Sequence, residues 1–137
     1  MKKISLLLSL LLMFTCTYSY AQSSTKILWK EFASATMNFD TFQPDNDFRQ
    51  NFIDVKQEGN RFIWGDQNVY NVYNKKETHD GFMSFTTYTF IDKYNQRGTL
   101  IYQNNRNADW ATKHMFYIQY EGKKLGMVYC SNDPQNQ

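Results

Sequence analysis

Two aspartate–histidine pairs are the first residues in this chain whose types could do chemistry. His79 and Asp80 are adjacent, and Asp109 precedes His114 by five residues. A carboxylate that orients an imidazole makes a general base, provided both side chains reach the same proton. Residue type alone is weak support, because strand-end and turn histidines are common without any catalytic role. The motifs that would strengthen it are missing. There is no Gly-x-Ser-x-Gly elbow, no His-Glu-x-x-His pair and no glycine-rich phosphate loop among the six glycines. Two histidines and one cysteine beyond the N-terminal segment are too few soft ligands for a structural zinc site. The acidic residues cluster in turn-like stretches (Asp45, Asp47, Glu58, Asp66, Glu77, Glu121), not in apolar surroundings that would raise a carboxyl pKa. The expectation is a protein with no catalytic residues, no metal and no cofactor, and the Asp-His enzyme is kept as an alternative.

Aromatic side chains offer a different chemistry. Twenty-one Phe, Tyr and Trp residues follow position 21, more than a core of this size needs. They suit either a cleft that packs an apolar ligand or an exposed platform for a sugar ring or a partner protein. Trp64, Tyr88, Trp110 and Tyr117 are the candidate ligand-binding residues. The plainer alternative is that aromatics favour strands and fill a core that has no disulfide to support it.

The N-terminus sets the expected compartment. Lys2 and Lys3 precede an apolar run from Ile4 to Phe14, which ends in Ser19-Tyr20-Ala21. That is the charged, apolar and small-x-small pattern of a secretory signal, with cleavage between Ala21 and Gln22. The run is shorter than the ~20 apolar residues of a membrane span. Lipidation at Cys16 is disfavoured, because Met13, Phe14 and Thr15 precede it where an aliphatic and a small residue are needed. The expectation is an exported protein, periplasmic or extracellular, with no transmembrane span after cleavage.

Removing residues 1–21 removes the net charge. The chain has fifteen Lys plus Arg and thirteen Asp plus Glu; Lys2 and Lys3 leave with the signal and no acid does, so thirteen of each sign remain. The longest basic runs are Lys75-Lys76 and Lys123-Lys124. Such a chain lacks the basic face of a nucleic-acid binder, so the partners expected are a small apolar ligand or a carbohydrate. Cys130 is the one cysteine left, which excludes an internal disulfide. It ends an apolar stretch and reads as a small buried hydrophobe.

The elements that must position these residues read as hairpins. His114–Tyr120 and Lys124–Cys130 flank Glu121-Gly122-Lys123, and a two-residue turn puts Phe116, Ile118, Leu125, Met127 and Tyr129 on one face, the expected core side. Residues 52–57 and 61–64 flank Glu58-Gly59-Asn60, and a tight turn there groups Ile53, Val55, Phe62 and Trp64. Residues 68–74, 82–91 and 99–103 are further strands. The pattern within 82–91 changes phase at Thr86-Thr87, which a β-bulge or burial on both faces would explain. Residues 27–39 fit two patterns: Leu28, Phe32, Ala35 and Phe39 at helical spacing, or alternation of Ala33, Ala35, Met37 and Phe39 as a strand. The strand is preferred from Ala33 onward.

The expected fold is all-β, or a β-rich α+β variant with an N-terminal helix. It is one domain over residues 22–137, an antiparallel meander of seven to eight short strands closed as a small barrel or folded as a sandwich, with a polar disordered tail from about residue 131. Such a meander is the architecture of lipocalin-type barrels, yet their Gly-x-Trp pattern is absent, Trp29 following Ile27-Leu28. The expected role is non-enzymatic binding. The alternatives are an interaction or inhibitor module of the cell envelope and the Asp-His enzyme.

Overall fold

The computed structural model describes residues 26–136. The proposed cleavage site at Ala21 and Gln22, and Cys16, lie outside the described residues.

Alternation dominates what is described, and every element is a strand. They are β1 (Lys26–Asn38), β2 (Gln43–Pro44), β3 (Arg49–Glu58), β4 (Arg61–Trp64), β5 (Asn68–Asp80), β6 (Met83–Asp92), β7 (Arg97–Asn105), β8 (His114–Tyr120), β9 (Leu125–Ser131) and β10 (Gln135–Asn136). Each long strand pairs antiparallel with the next, and β9 returns to β1, so eight strands close into a barrel and leave few free edges. Among the described residues no helix is long and apolar enough to cross a membrane.

Segment 27–39 is therefore strand throughout. Its mixed periodicity comes from a bulge between Glu31 and Ala33. Before the bulge Ile27, Trp29 and Glu31 face the barrel interior. The extra residue, Phe32, flips the phase, and Ala33, Ala35 and Met37 then face outward. This lets one strand close the barrel, because β1 pairs with β3 through Lys26–Ser34 and with β9 through Glu31–Asn38.

The two foreseen hairpins form with the expected faces. Val55 pairs with Trp64 and Glu58 with Arg61 around Gly59-Asn60, with Gly59 at φ 56°. Phe116 pairs with Tyr129 and Ile118 with Met127. The second hairpin has cores on both faces. Inside the barrel, Trp29, Val55, Phe62, Trp64, Tyr70, Val72, Tyr88, Phe90, Leu100, Phe116 and Ile118 pack together. Outside it, Ala35, Met37, Tyr117 and Val128 form a smaller cluster with Phe39, Ile101 and Met115. The segment after β1 helps cover that outer cluster, with Phe42 lying 5.1 Å from the Tyr117 ring. Leu125, expected on the core side, is exposed at the turn.

Three expectations about local structure are corrected. First, the bulge offered as one of two explanations for the phase change at Thr86-Thr87 lies in the partner strand. β6 pairs without interruption to β7, and the shift lies in β5 between Tyr73 and Lys76, where Asn74 takes φ 54°. Second, residues 75–80, left between the expected strands 68–74 and 82–91, extend β5 down to the turn at Gly81-Phe82. Their polarity reflects an exposed arm, because β4 ends its pairing at Asn71 and leaves the lower edge of β5 free. Third, polar residues 132–136, in the segment expected to be a disordered tail, bond to β1. Asn132 exchanges hydrogen bonds with the Lys30 backbone, and Gln135 and Asn136 pair with Leu28 and Ile27. A polar segment needs no apolar burial to be held when it continues a ladder.

Close packing of the barrel makes a testable demand at Gly98. A Cβ there would run into the Phe90 ring and the Gln119 carbonyl oxygen. Gly98→Ala is expected to cost about 2 kcal/mol through overpacking, read as a lowered urea midpoint with unchanged m-value. An unchanged midpoint would show that β6 and β7 are less tightly packed than described.

Candidate functional site

The register determines which polar side chains share an end of the barrel. Call the lower end the one that holds the β3–β4 turn, the β5–β6 turn and the β7–β8 connection. Tyr102 and Tyr88 belong to the interior, so their same-face neighbours Asn104, Thr86 and Ser84 point inward too. Across the ladder Glu77 pairs with Thr86 and His79 with Ser84. His114 pairs with Asn104 on one side and Ser131 on the other, and Ser131 pairs with Glu31. The lower end thus carries one inward row of Glu31, Ser131, His114, Asn104, Ser84 and His79, with Tyr102, Thr86 and Glu77 in the row above it, deeper in the barrel. Ser84 and Thr86 are half-buried, and Glu77 and His79 are exposed. The wall is open beside them, where the free edge of β5 runs past the end of β4.

His114 is the best-placed of the titratable groups. It is 4% exposed and stacks on Tyr102, with the two rings 4° from parallel. Its Nε2 lies 2.5 Å from Asp133 Oδ1 and its Nδ1 lies 2.6 Å from Tyr102 Oη. The hydrogen bond from His114, reinforced by Lys113, holds the Asp133 carboxyl below its usual range. An ionised carboxylate only accepts, so Nε2 carries the proton, and in the neutral ring Nδ1 accepts from the Tyr102 hydroxyl. Burial pushes the Tyr102 phenol up to about 12, which keeps it a donor. Both ring nitrogens are therefore committed. That differs from the pair anticipated in the sequence: Asp109 is exposed in the β7–β8 connection, while Asp133 reaches His114 from the segment after β9. Nothing in the local sequence marked Asp133, because the contact depends on β9 lying beside β8.

Glu31 is the other group that sequence reasoning missed. It is fully buried, and it accepts from Trp64 Nε1 (2.8 Å) and Asn51 Nδ2 (3.3 Å). Desolvation outweighs these two bonds and pushes its carboxyl up to about 7. The signal for it was its place two residues after Trp29, in phase with an inward-facing strand. Next to it in the outward phase, Cys130 is a buried free thiol, pushed up to about 11 chiefly by desolvation. A thiol so protonated is a poor nucleophile.

Two buried polar atoms in this region make no hydrogen bond of full geometry among the described residues, Trp29 Nε1 and Asn104 Oδ1; the Trp29 N–H is directed at the Tyr102 hydroxyl oxygen and partly offsets the upward push of burial on that phenol, while Asn104 Oδ1 has no partner. Both neighbour Tyr102. The Trp29 ring is 5.8 Å from the Tyr102 ring, and Asn104 is the next inward residue along β7. A buried polar group without a partner costs stability, so each such atom in a folded protein calls for an explanation.

The aromatic candidates divide. Trp64 and Tyr88 are core residues: Trp64 meets Tyr70 and Phe116 edge-on and Tyr129 at a tilt, and Tyr88 meets Phe62 edge-on. Tyr117 is buried in the outer cluster, its hydroxyl on Gln103 Oε1. Trp110 is 74% exposed and lies against Phe32, the residue extruded by the β1 bulge. His79 and His114 occupy one row with Asn104 and Ser84 between them, about 14 Å apart along the sheet at the usual strand spacing. Among the described residues no group of three or more His, Cys, Asp or Glu side chains is placed to hold a metal ion.

Two concavities lie elsewhere. One of about 310 Å³ runs along the outer wall past Tyr73, Thr99 and Gln119. Another of about 190 Å³ borders Asp92 at the upper end. Asp92 there is satisfied, accepting from the Tyr94 and Gln96 amides and from the Tyr120 hydroxyl. Neither concavity is lined by a buried polar atom that lacks a partner, and for that reason the lower end is the stronger candidate. Compared with protein-family models, with curated proteins and with solved structures, the chain matches none.

Proposed function

We propose that the protein is an exported, non-enzymatic binding protein that takes an apolar small molecule into the lower end of its barrel. The pattern of residues 1–21 supports export. The observation that carries the binding reading is the inward row of Ser84, Asn104 and His114, with the buried Asn104 Oδ1 unpartnered among the described residues, beside the free edge of β5. Rings of Trp29, Phe62, Tyr102 and Phe116 supply an apolar floor. The commitment of both His114 nitrogens supports binding over general-base catalysis.

A thermal-shift screen with fatty acids, isoprenoids, haem and oligosaccharides tests this. At about 100 times its Kd, a true ligand should raise the midpoint by roughly 10 °C. Thr86→Trp, which fills the open end from β6, should abolish that shift. No shift across the panel, or a shift that survives Thr86→Trp, would contradict the proposal. A second reading, a protein-interaction module, draws on the exposed Trp110 and Phe32 pair. It requires Trp110→Ala to abolish partner capture without lowering stability.

A further inference from the structure

The concavity on the outer wall is built independently of the lower end. Tyr73, Thr89, Thr99 and Gln119 pair in one unbroken row across β5, β6, β7 and β8. Each is the chain neighbour of an interior residue (Val72, Tyr88 and Phe90, Leu100, Ile118), so all four side chains point outward. The row spans about 14 Å at the usual strand spacing. Its middle is low, because Thr89 and Thr99 are small. On one side stands Tyr73, the last β5 residue before the bulge at Asn74. The pairing of β4 has ended by then, and the Tyr73 ring is 38% exposed. On the other side Gln119 and the β8–β9 turn at Glu121-Gly122 form the opposite wall. The trough between them holds about 310 Å³, at the small end of the range for ligand sites.

Gln119 is oriented in this trough. Its Nε2 donates to the Lys123 carbonyl oxygen at 2.7 Å, which fixes the plane of the amide. That leaves one N–H and Oε1, a donor and an acceptor on one rigid group. The Thr89 and Thr99 hydroxyls each donate and accept. At the upper rim Glu121 continues the ladder beside Arg97, its amide donating to the Arg97 carbonyl oxygen at 2.9 Å. One cation and one anion therefore share the rim, and neither is in an ion pair among the described residues.

This set suits a neutral ligand rich in hydroxyls. A carboxylate or phosphate gains Arg97 but meets Glu121, and an ammonium reverses the conflict. An alkyl chain finds a single ring above a floor of hydroxyls and an amide. A pyranose satisfies both halves: its C–H face packs on the Tyr73 ring, and its vicinal hydroxyls pair with the Gln119 amide and the two threonines.

We infer that the outer wall carries a saccharide site, separate from the lower end, in which Tyr73 stacks on a neutral pyranose and Gln119, Thr89 and Thr99 hold its hydroxyls. Arg97 and Glu121 add a donor and an acceptor at the rim. All of these side chains are exposed or half-buried, so each sugar hydroxyl exchanges for water and gains little. The affinity expected is about 1 mM.

A ¹H–¹⁵N titration of the purified protein tests this with glucose, galactose, mannose, N-acetylglucosamine, cellobiose and maltose, each taken to about 100 mM. At least one should move the Gln119 side-chain amide and the Thr89 and Thr99 backbone amides together, saturably and with one affinity. Tyr73→Ala should weaken that saccharide about fivefold, and Tyr73→Phe should restore it, since the ring and not its hydroxyl does the stacking. Gln119→Ala should weaken it about fivefold as well. Thr99→Trp, which fills the floor, should abolish binding, with urea midpoints confirming that each variant is folded. Thr86→Trp, at the lower end, should change nothing.

No saturable shift with any of the six sugars would overturn the inference. So would binding that survives both Tyr73→Ala and Gln119→Ala, binding lost with Thr86→Trp, or glycerol moving the same amides at equal concentration. Tighter binding of glucuronate or protonated glucosamine than of glucose would also overturn it. An apolar ligand in the lower end leaves these resonances still, so failure of one site does not decide the other.

Discussion

Phe116→Ala is expected to destabilise the protein by about 4 kcal/mol, the cost of emptying a phenylalanine-sized volume that the surrounding structure cannot refill. Phe116 is fully buried and sits where β8 meets the centre of the barrel. It touches Trp29 and Trp64 edge-on at 5.2 Å, Tyr102 at 5.0 Å and Phe62 at 6.2 Å. These four rings come from three different strands, β1, β4 and β7, so the cavity would open between elements distant in sequence. For a domain of this length that cost corresponds to a fall of roughly 15 °C in the thermal midpoint. Trp110→Ala, at an exposed ring, should cost less than ~1 kcal/mol. Urea melts of both variants check the contrast. Comparable losses would mean that the aromatic interior is not the main source of stability.

The second large effect depends on pH. Glu31 is buried against Trp64 and Asn51, and its carboxyl is raised from 4.5 to about 7 in the folded protein. The folded state holds that proton more tightly than the unfolded chain. Below pH 4.5 the group is neutral in both states and costs nothing extra. As pH rises from 4.5 to 7 the unfolded chain ionises first, and stability falls. Above 7 the loss is complete, at about 3 kcal/mol. Asp133, with its carboxyl lowered, works in the opposite direction but is exposed to solvent. The difference between wild type and Glu31→Gln isolates the buried group. Urea midpoints from pH 4 to 8 should fall for wild type relative to Glu31→Gln across that window and run parallel above it. Parallel curves throughout would show that Glu31 ionises as readily in the fold as in the unfolded chain.

Hairpin pairing could be read from the sequence because it is local. Phe62 and Trp64 lie opposite Val55 and its neighbours across a Gly-Asn turn, and two-residue alternation leaves one choice of face. Barrel closure could not be read, because it depends on β1 and β9, which are separated by most of the chain. The β1 bulge hid it further: one extra residue at Phe32 makes the inward phase before it the outward phase after it, which imitates helical spacing around Phe32 and Ala35. The outer cluster was hidden for the same reason. Tyr117 and Val128 alternate with Phe116 and Met127, and a strand covered on both sides has no polar face to reveal which side is the core.

The candidate site was half legible. His114 stood out as one of two histidines, but its acid came from the tail, not from the nearer Asp109. Asp133 reaches it only because Asn132 ties the tail back to Lys30. Glu31 looked like an ordinary strand acid, since burial is a tertiary property. His79 and His114 share a row through three strand pairings, none of which a local pattern records.

The most direct measurement of the binding claim is a residue-by-residue map of where a ligand acts. A ¹H–¹⁵N titration of the protein with the strongest stabiliser from the thermal screen should move the Trp29 indole N–H, the Asn104 side-chain amide and the His114 ring together, with a single affinity. The outer wall at Tyr73, Thr99 and Gln119 should stay still. Shifts confined to that outer wall, or none that saturate at Trp29, Asn104 and His114, would contradict a binding site inside the lower end of the barrel.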